Sequence, residues 1–64
     1  MKTFEITVQI DDYNPETHKW FKRTLKAETI AKTERAAVNK VKRVYAQEYD
    51  TTTKEIEVVE VIEK

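Results

Sequence analysis

Residues 3–10, Thr-Phe-Glu-Ile-Thr-Val-Gln-Ile, alternate strictly between polar and apolar side chains. On an extended chain successive side chains point to opposite faces. Phe4, Ile6, Val8 and Ile10 therefore share one face, and Thr3, Glu5, Thr7 and Gln9 share the other. A helix would scatter the four apolar residues around its axis. The run predicts a half-buried strand that needs neighbours along its edges and a cover on its apolar face.

The first neighbour follows directly. Asp11-Asp12-Tyr13-Asn14-Pro15-Glu16-Thr17 predicts a loop, with Asn14 and Pro15 suited to the first two positions of a turn. Residues 18–29 predict a second strand, with Phe21, Leu25 and Ala27 on one face. A turn centred on Pro15-Glu16 sets Ile10 against Phe21, Val8 against Arg23, Ile6 against Leu25 and Phe4 against Ala27. The opposite face then gains the pairs Thr7–Thr24 and Glu5–Lys26. The chain contains no glycine, so no turn draws on a residue that adopts positive φ freely.

After Thr33, a good N-cap followed by Glu34, the period changes. Ala37, Val38, Val41, Val44, Tyr45 and Tyr49 fall on one helical stripe. Asp50-Thr51-Thr52-Thr53 ends it. Residues 54–63 predict a third strand. A helix of about 17 residues spans about 25 Å and a ten-residue strand about 33 Å, so the helix returns the chain across the sheet. A right-handed crossover places the third strand beside the first. The expected fold is α+β: ββαβ, a three-stranded antiparallel sheet of order 2-1-3 with one helix on one face.

Two residues break this scheme. Arg23 falls on the helix-covered face, so it must snorkel or meet an acid; Glu48, on the helix stripe, is the expected partner. In the third strand Ile56, Val58 and Ile62 suit the core, but Glu60 falls among them. A bulge near Val58-Val59 would switch the phase. Without one, Val59 and Val61 join Trp20 on the open face.

Sixty-four residues make one small domain, 1–64, with a marginal core. With no serine, cysteine or glycine, a Ser-His-Asp or Cys-His device and a glycine-rich phosphate loop are excluded. The lone His18 cannot build a metal site and reads as a surface histidine. No enzyme activity and no cofactor is expected. The lack of cysteine suits a reducing, cytoplasmic setting. No apolar run reaches the length of a signal peptide or membrane span, and the chain reads as complete.

The zero formal net charge hides a separation. Residues 1–17 sum to −3, residues 18–43 to +7 and residues 44–64 to −4. Two binding readings arise. Trp20, Lys22, Thr24, Lys26, Val59 and Val61 on an open face suit a protein partner or a homodimer, as does a free edge strand; Trp20 reads equally as folding over its own hairpin against Tyr13. Lys19, Lys22, Lys26, Arg35, Lys42 and Arg43 suit nucleic acid, although strand and helix cations lie on opposite sides. The protein reading is favoured, and no membrane partner is expected. The strand–strand–helix–strand order with the terminal Glu-Ile-Glu-Val-Val-Glu-Val-Ile run resembles archaeal ribosomal protein LX, and also small phage and prophage proteins. The first likeness implies rRNA binding, the second an accessory or regulatory role. Neither rests on a diagnostic motif, and LX-type proteins are generally basic where this chain is neutral.

Overall fold

The computed structural model describes all residues, Met1–Lys64. The elements are β1 (Lys2–Asn14), β2 (Lys19–Ala31), α1 (Glu34–Glu48), a 3₁₀ turn (Thr53–Glu55) and β3 (Glu57–Glu63). The three strands form one antiparallel sheet of order β2-β1-β3, and α1 packs on one face of it. The fold is α+β, as the alternation and the helical stripe predict.

The core is the apolar face of the central strand. Phe4, Ile6, Val8 and Ile10 are buried together with Ala31, Ala37, Val41 and Ile56. Val38, Tyr45 and Tyr49 close over them from the helix. Val44, expected on the same stripe, is exposed instead. Thr33 caps the helix as expected: its Oγ1 accepts from the Ala36 N–H at 3.2 Å.

The hairpin differs from expectation in its turn and its register. Partner residues sum to 33: Val8 faces Leu25, Ile6 faces Ala27 and Ile10 faces Arg23. The connection is the four-residue loop Pro15–His18, not a two-residue turn. Two-residue hairpin turns need positive φ at their first central position, which proline cannot adopt. Here Asn14 Oδ1 accepts from the Glu16 N–H at 2.9 Å, and His18 supplies the positive φ, 56°. The slip is two residues, so every side chain keeps its face.

The strands also run further than the alternation does. Both arms reach 13 residues, about 40 Å, while α1 covers about 22 Å. The hairpin tip therefore reaches past the last turn of α1, and its Tyr13 and Trp20 share a groove of about 560 Å³ with Tyr49, Asp50 and Thr51 at the helix end. The molecule is 43 Å long, with a radius of gyration of 12.7 Å, where a compact chain of this length has about 11 Å.

Residues 54–56, expected in the third strand, are not part of it. Buried Ile56 instead anchors the step from the 3₁₀ turn into β3. The bulge is present. Thr7 pairs with Glu60 and Val8 with Val58, which leaves Val59 as the extra residue. Beyond it the phase has switched, so Val61 faces Ile6 and packs against the core. Val61 is not on Trp20's face; Ile62 is, opposite Glu5.

Candidate interface: the projecting hairpin and the outer edge of the sheet

Even-numbered residues of β2 carry their side chains on the face away from the helix. Trp20, Lys22, Thr24 and Lys26 line it as expected, and Glu28 and Ile30 extend the row. Trp20 is 70% exposed and Ile30 56%. The Trp20 and Tyr13 rings, on residues directly opposite one another, meet edge to face with centroids 5.3 Å apart and planes inclined by 62°. The Tyr13 hydroxyl lies 3.2 Å from His18 Nδ1, which ties this pair to the loop. Val59 is exposed, but on the bulge at the far side of the sheet.

Across the middle of this face the charges are matched within the molecule. Lys22 Nζ reaches Asp11 at 3.9 Å and Glu57 at 3.7 Å. Lys26 Nζ lies 4.0 Å from Glu5, so that expected pair survives the register slip as a diagonal contact. Glu5 and Glu28 stand directly opposite, a repulsive arrangement on its own. Lys64 Nζ bridges them at 3.1 and 2.9 Å, and these bonds raise its pKa above the usual lysine value.

On the other face of the projecting hairpin, Arg23 does not meet Glu48. Its Nε donates to Asp12 Oδ2 at 2.9 Å, and the guanidinium lies 5.4 Å from the centre of the Phe21 ring. The register slip moves Arg23 toward the tip and beside Asp12. The half-exposed edge position removes the need for a buried partner. Phe21, Tyr13 and Trp20 thus give the tip three exposed aromatic rings.

Main-chain polarity follows from parity. The Lys64 N–H donates to the Thr3 carbonyl at 2.8 Å, so odd-numbered residues of β1 direct their amide groups toward β3. Even-numbered ones then face β2, where their partners are odd. Even-numbered residues of β2 therefore direct N–H and C=O outward along a free edge. One of these carbonyls, Lys26, accepts from the Tyr45 hydroxyl at 3.2 Å. The two edges differ. β3 is short, bulged and carries Glu57, Glu60 and Glu63, features that discourage pairing. β2 has no proline and pairs with β1 without a bulge.

The expected nucleic-acid contacts do not form one surface; of the six, Lys42 and Arg43 share a groove. Lys22 and Lys26 are engaged within the sheet, whereas Lys19, Arg35, Lys42 and Arg43 form no ion pair. Lys42 and Arg43 line a groove of about 340 Å³ with Asn39, Thr53 and Lys54, away from the open face. No group of three or more His, Cys, Asp or Glu is placed to hold a metal ion. No helix is long and apolar enough to cross a membrane.

Sequence reasoning did not include Ile30, Glu28 and Phe21 among the candidates, whereas the contact of Trp20 with Tyr13 is the one its hairpin reading anticipates. The signal for Ile30 and Glu28 was the parity of Trp20-Lys22-Thr24-Lys26, which continues through both. Comparison of the chain with protein-family models, curated proteins and solved structures finds no match.

Proposed function

We propose that this chain is a non-catalytic protein-binding module that presents the Trp20 end of its hairpin and the outer edge of β2 to a protein partner, which includes a second copy of itself. The observation that carries the reading is the position of Trp20: largely exposed, yet held against Tyr13 on a hairpin that extends past its supporting helix. An oriented aromatic loses little freedom when it docks, which is why such residues anchor interfaces. The lack of serine, cysteine and glycine supports a role without catalysis, and the lack of cysteine supports a cytoplasmic setting.

The test is a photo-crosslinking amino acid placed at Trp20 in cells, with the same group at Lys32 as control. Covalent protein adducts at position 20 and not at 32 support the reading. Equal labelling at both positions, or none at 20, ends it.

A second reading is favoured by one feature: Lys42, Arg43 and Lys54 surround a groove that holds no carboxylate. Binding of a short oligonucleotide there would weaken steeply with salt and fall in a K42A/R43A variant. No binding at low salt removes it.

A further inference from the structure

The edge of β2 can be asked directly what fits it. A strand pairing antiparallel to itself is related by a twofold axis through one residue. Outward-facing amides must meet outward-facing amides, so even residues pair with even. Each choice of axis then has a definite electrostatic outcome. An axis at Thr24 sets Lys22 against Lys26. Axes at Lys22, Arg23, Lys26 or Glu28 set a like charge against itself. An axis at Phe21 sets Lys19 against Arg23.

An axis at Leu25 has none of these conflicts. It sets Lys22 opposite Glu28, Trp20 opposite Ile30, and Thr24 opposite Lys26, whose carbonyl then accepts the Thr24 N–H alongside or in place of the Tyr45 hydroxyl it holds in the single chain. The two most exposed large apolar side chains of the strand thereby cover one another. Leu25 meets its own copy on the helix side. Beside it a groove of about 400 Å³ lies open between α1 and β2, lined by Ala27, Val44 and Tyr45, with Lys40 among the carboxylates of Glu28 and Glu48. Arg23 falls opposite Ala27 of the second copy, at the groove that carries Glu48. Arg23, paired with Asp12 in its own chain, is thereby brought near a second carboxylate, Glu48 of the neighbour. An axis at Ala27 also pairs opposite charges, Lys26 with Glu28, but leaves Trp20 uncovered.

We propose that the edge of β2 is a self-recognition site, joining two copies of this chain into a six-stranded antiparallel sheet about a twofold axis through Leu25. This deepens the binding reading above and rests on it. Both helices lie on the same face of the joined sheet, and the guarded β3 edges end it on either side.

The chain has no native cysteine, so single-cysteine variants report the register directly. Residues on such an axis form a non-hydrogen-bonded pair about 4.5 Å apart between Cα atoms, within disulfide range. On mild oxidation Leu25→Cys is expected to form a disulfide-linked dimer, while Ala27→Cys stays uncrosslinked. Because Leu25 is half-buried, Thr24→Cys and Lys26→Cys provide an exposed version. Mixed together they crosslink to each other, and neither crosslinks to itself. The unmodified chain is expected to double its mass in sedimentation as concentration rises. Crosslinking of Ala27→Cys in place of Leu25→Cys, indiscriminate crosslinking of every variant, or a monomer at all concentrations overturns the proposal. A monomer that still gives adducts at position 20 in cells removes the self-pairing and leaves the binding module standing. A monomer without such adducts removes both.

Discussion

Asp50 lies one residue beyond the C-cap Tyr49 with φ 51°, in the left-handed region that glycine usually fills at a helix end. The Thr51 N–H closes back on the Ala46 carbonyl at 2.9 Å, so the geometry serves the helix end even though the residue is strained. The Asp50 carboxylate also stands at the negative end of the helix dipole, where no basic residue of the last turn answers it. Asp50→Gly should relieve both and raise stability by about 1 kcal/mol; a chemical-denaturation midpoint that falls would show that the side chain is needed. Tyr45 is the second informative residue. Burial, then the Glu48 carboxylate and then Tyr49, raise its pKa above the ordinary tyrosine value of 10.0. Lys64 is raised as well, by Glu28 and then Glu5. Each binds its proton more tightly in the folded chain than in the unfolded one. Their stabilisation is therefore complete below the unfolded values and drains away as pH rises through the folded ones. The melting temperature should hold steady to about pH 9.5 and fall above pH 10. Tyr45→Phe should lose about 1 kcal/mol with the Lys26 hydrogen bond and show a shallower alkaline decline. Melts of the two proteins across that range decide it, and an equally steep fall in the variant would assign the effect elsewhere.

At the scale of elements, much was legible and its limits were physical. Strict alternation over Thr3–Ile10 defines a strand and its faces, but it repeats every two residues. It cannot tell a register from one slipped by two. Proline's fixed φ, which forbids the two-residue turn, was the missing discriminator, and it was present in the sequence. The polar run Asp11–Asn14 looked like loop because hairpin pairing beyond the helix needs no burial to persist. Glu60 among valines announced the bulge, but only the pairing of Thr7 with Glu60 and Val8 with Val58 identifies Val59 as the extra residue. That assignment reverses the roles of two similar residues. Val61→Ala should cost about 1–2 kcal/mol, and Val59→Ala less than about 0.5. Equal losses in urea titrations would contradict the bulge. Of the candidate interface, Trp20, Lys22, Thr24 and Lys26 were legible from parity alone. Val61 was not, because its face depends on the bulge.

For the whole molecule, most of the strand part of the charge separation resolves into pairing across the sheet, while the helix cations stay free of ion pairs. The acidic strand β1 accepts Lys22 and Lys26, β3 shares Lys22, and Lys64 returns to hold Glu5 and Glu28 together. The cations Lys19, Arg35, Lys42 and Arg43 stay unpaired, and the backbone leaves one guarded edge, one open edge, and a hairpin that outruns its helix. The open edge makes the sharpest claim, since parity assigns a direction to every amide along it. Site-resolved amide hydrogen exchange at low and high protein concentration tests that claim most directly. Odd-numbered amides of β2 between Phe21 and Thr29, bonded to β1, should be protected in both. Those of Trp20, Lys22, Thr24, Lys26, Glu28 and Ile30 should exchange freely in dilute solution and gain protection together as concentration rises. Even-numbered amides that stay unprotected at every concentration would contradict the self-paired edge, and protection of the wrong parity would contradict the register of the sheet itself.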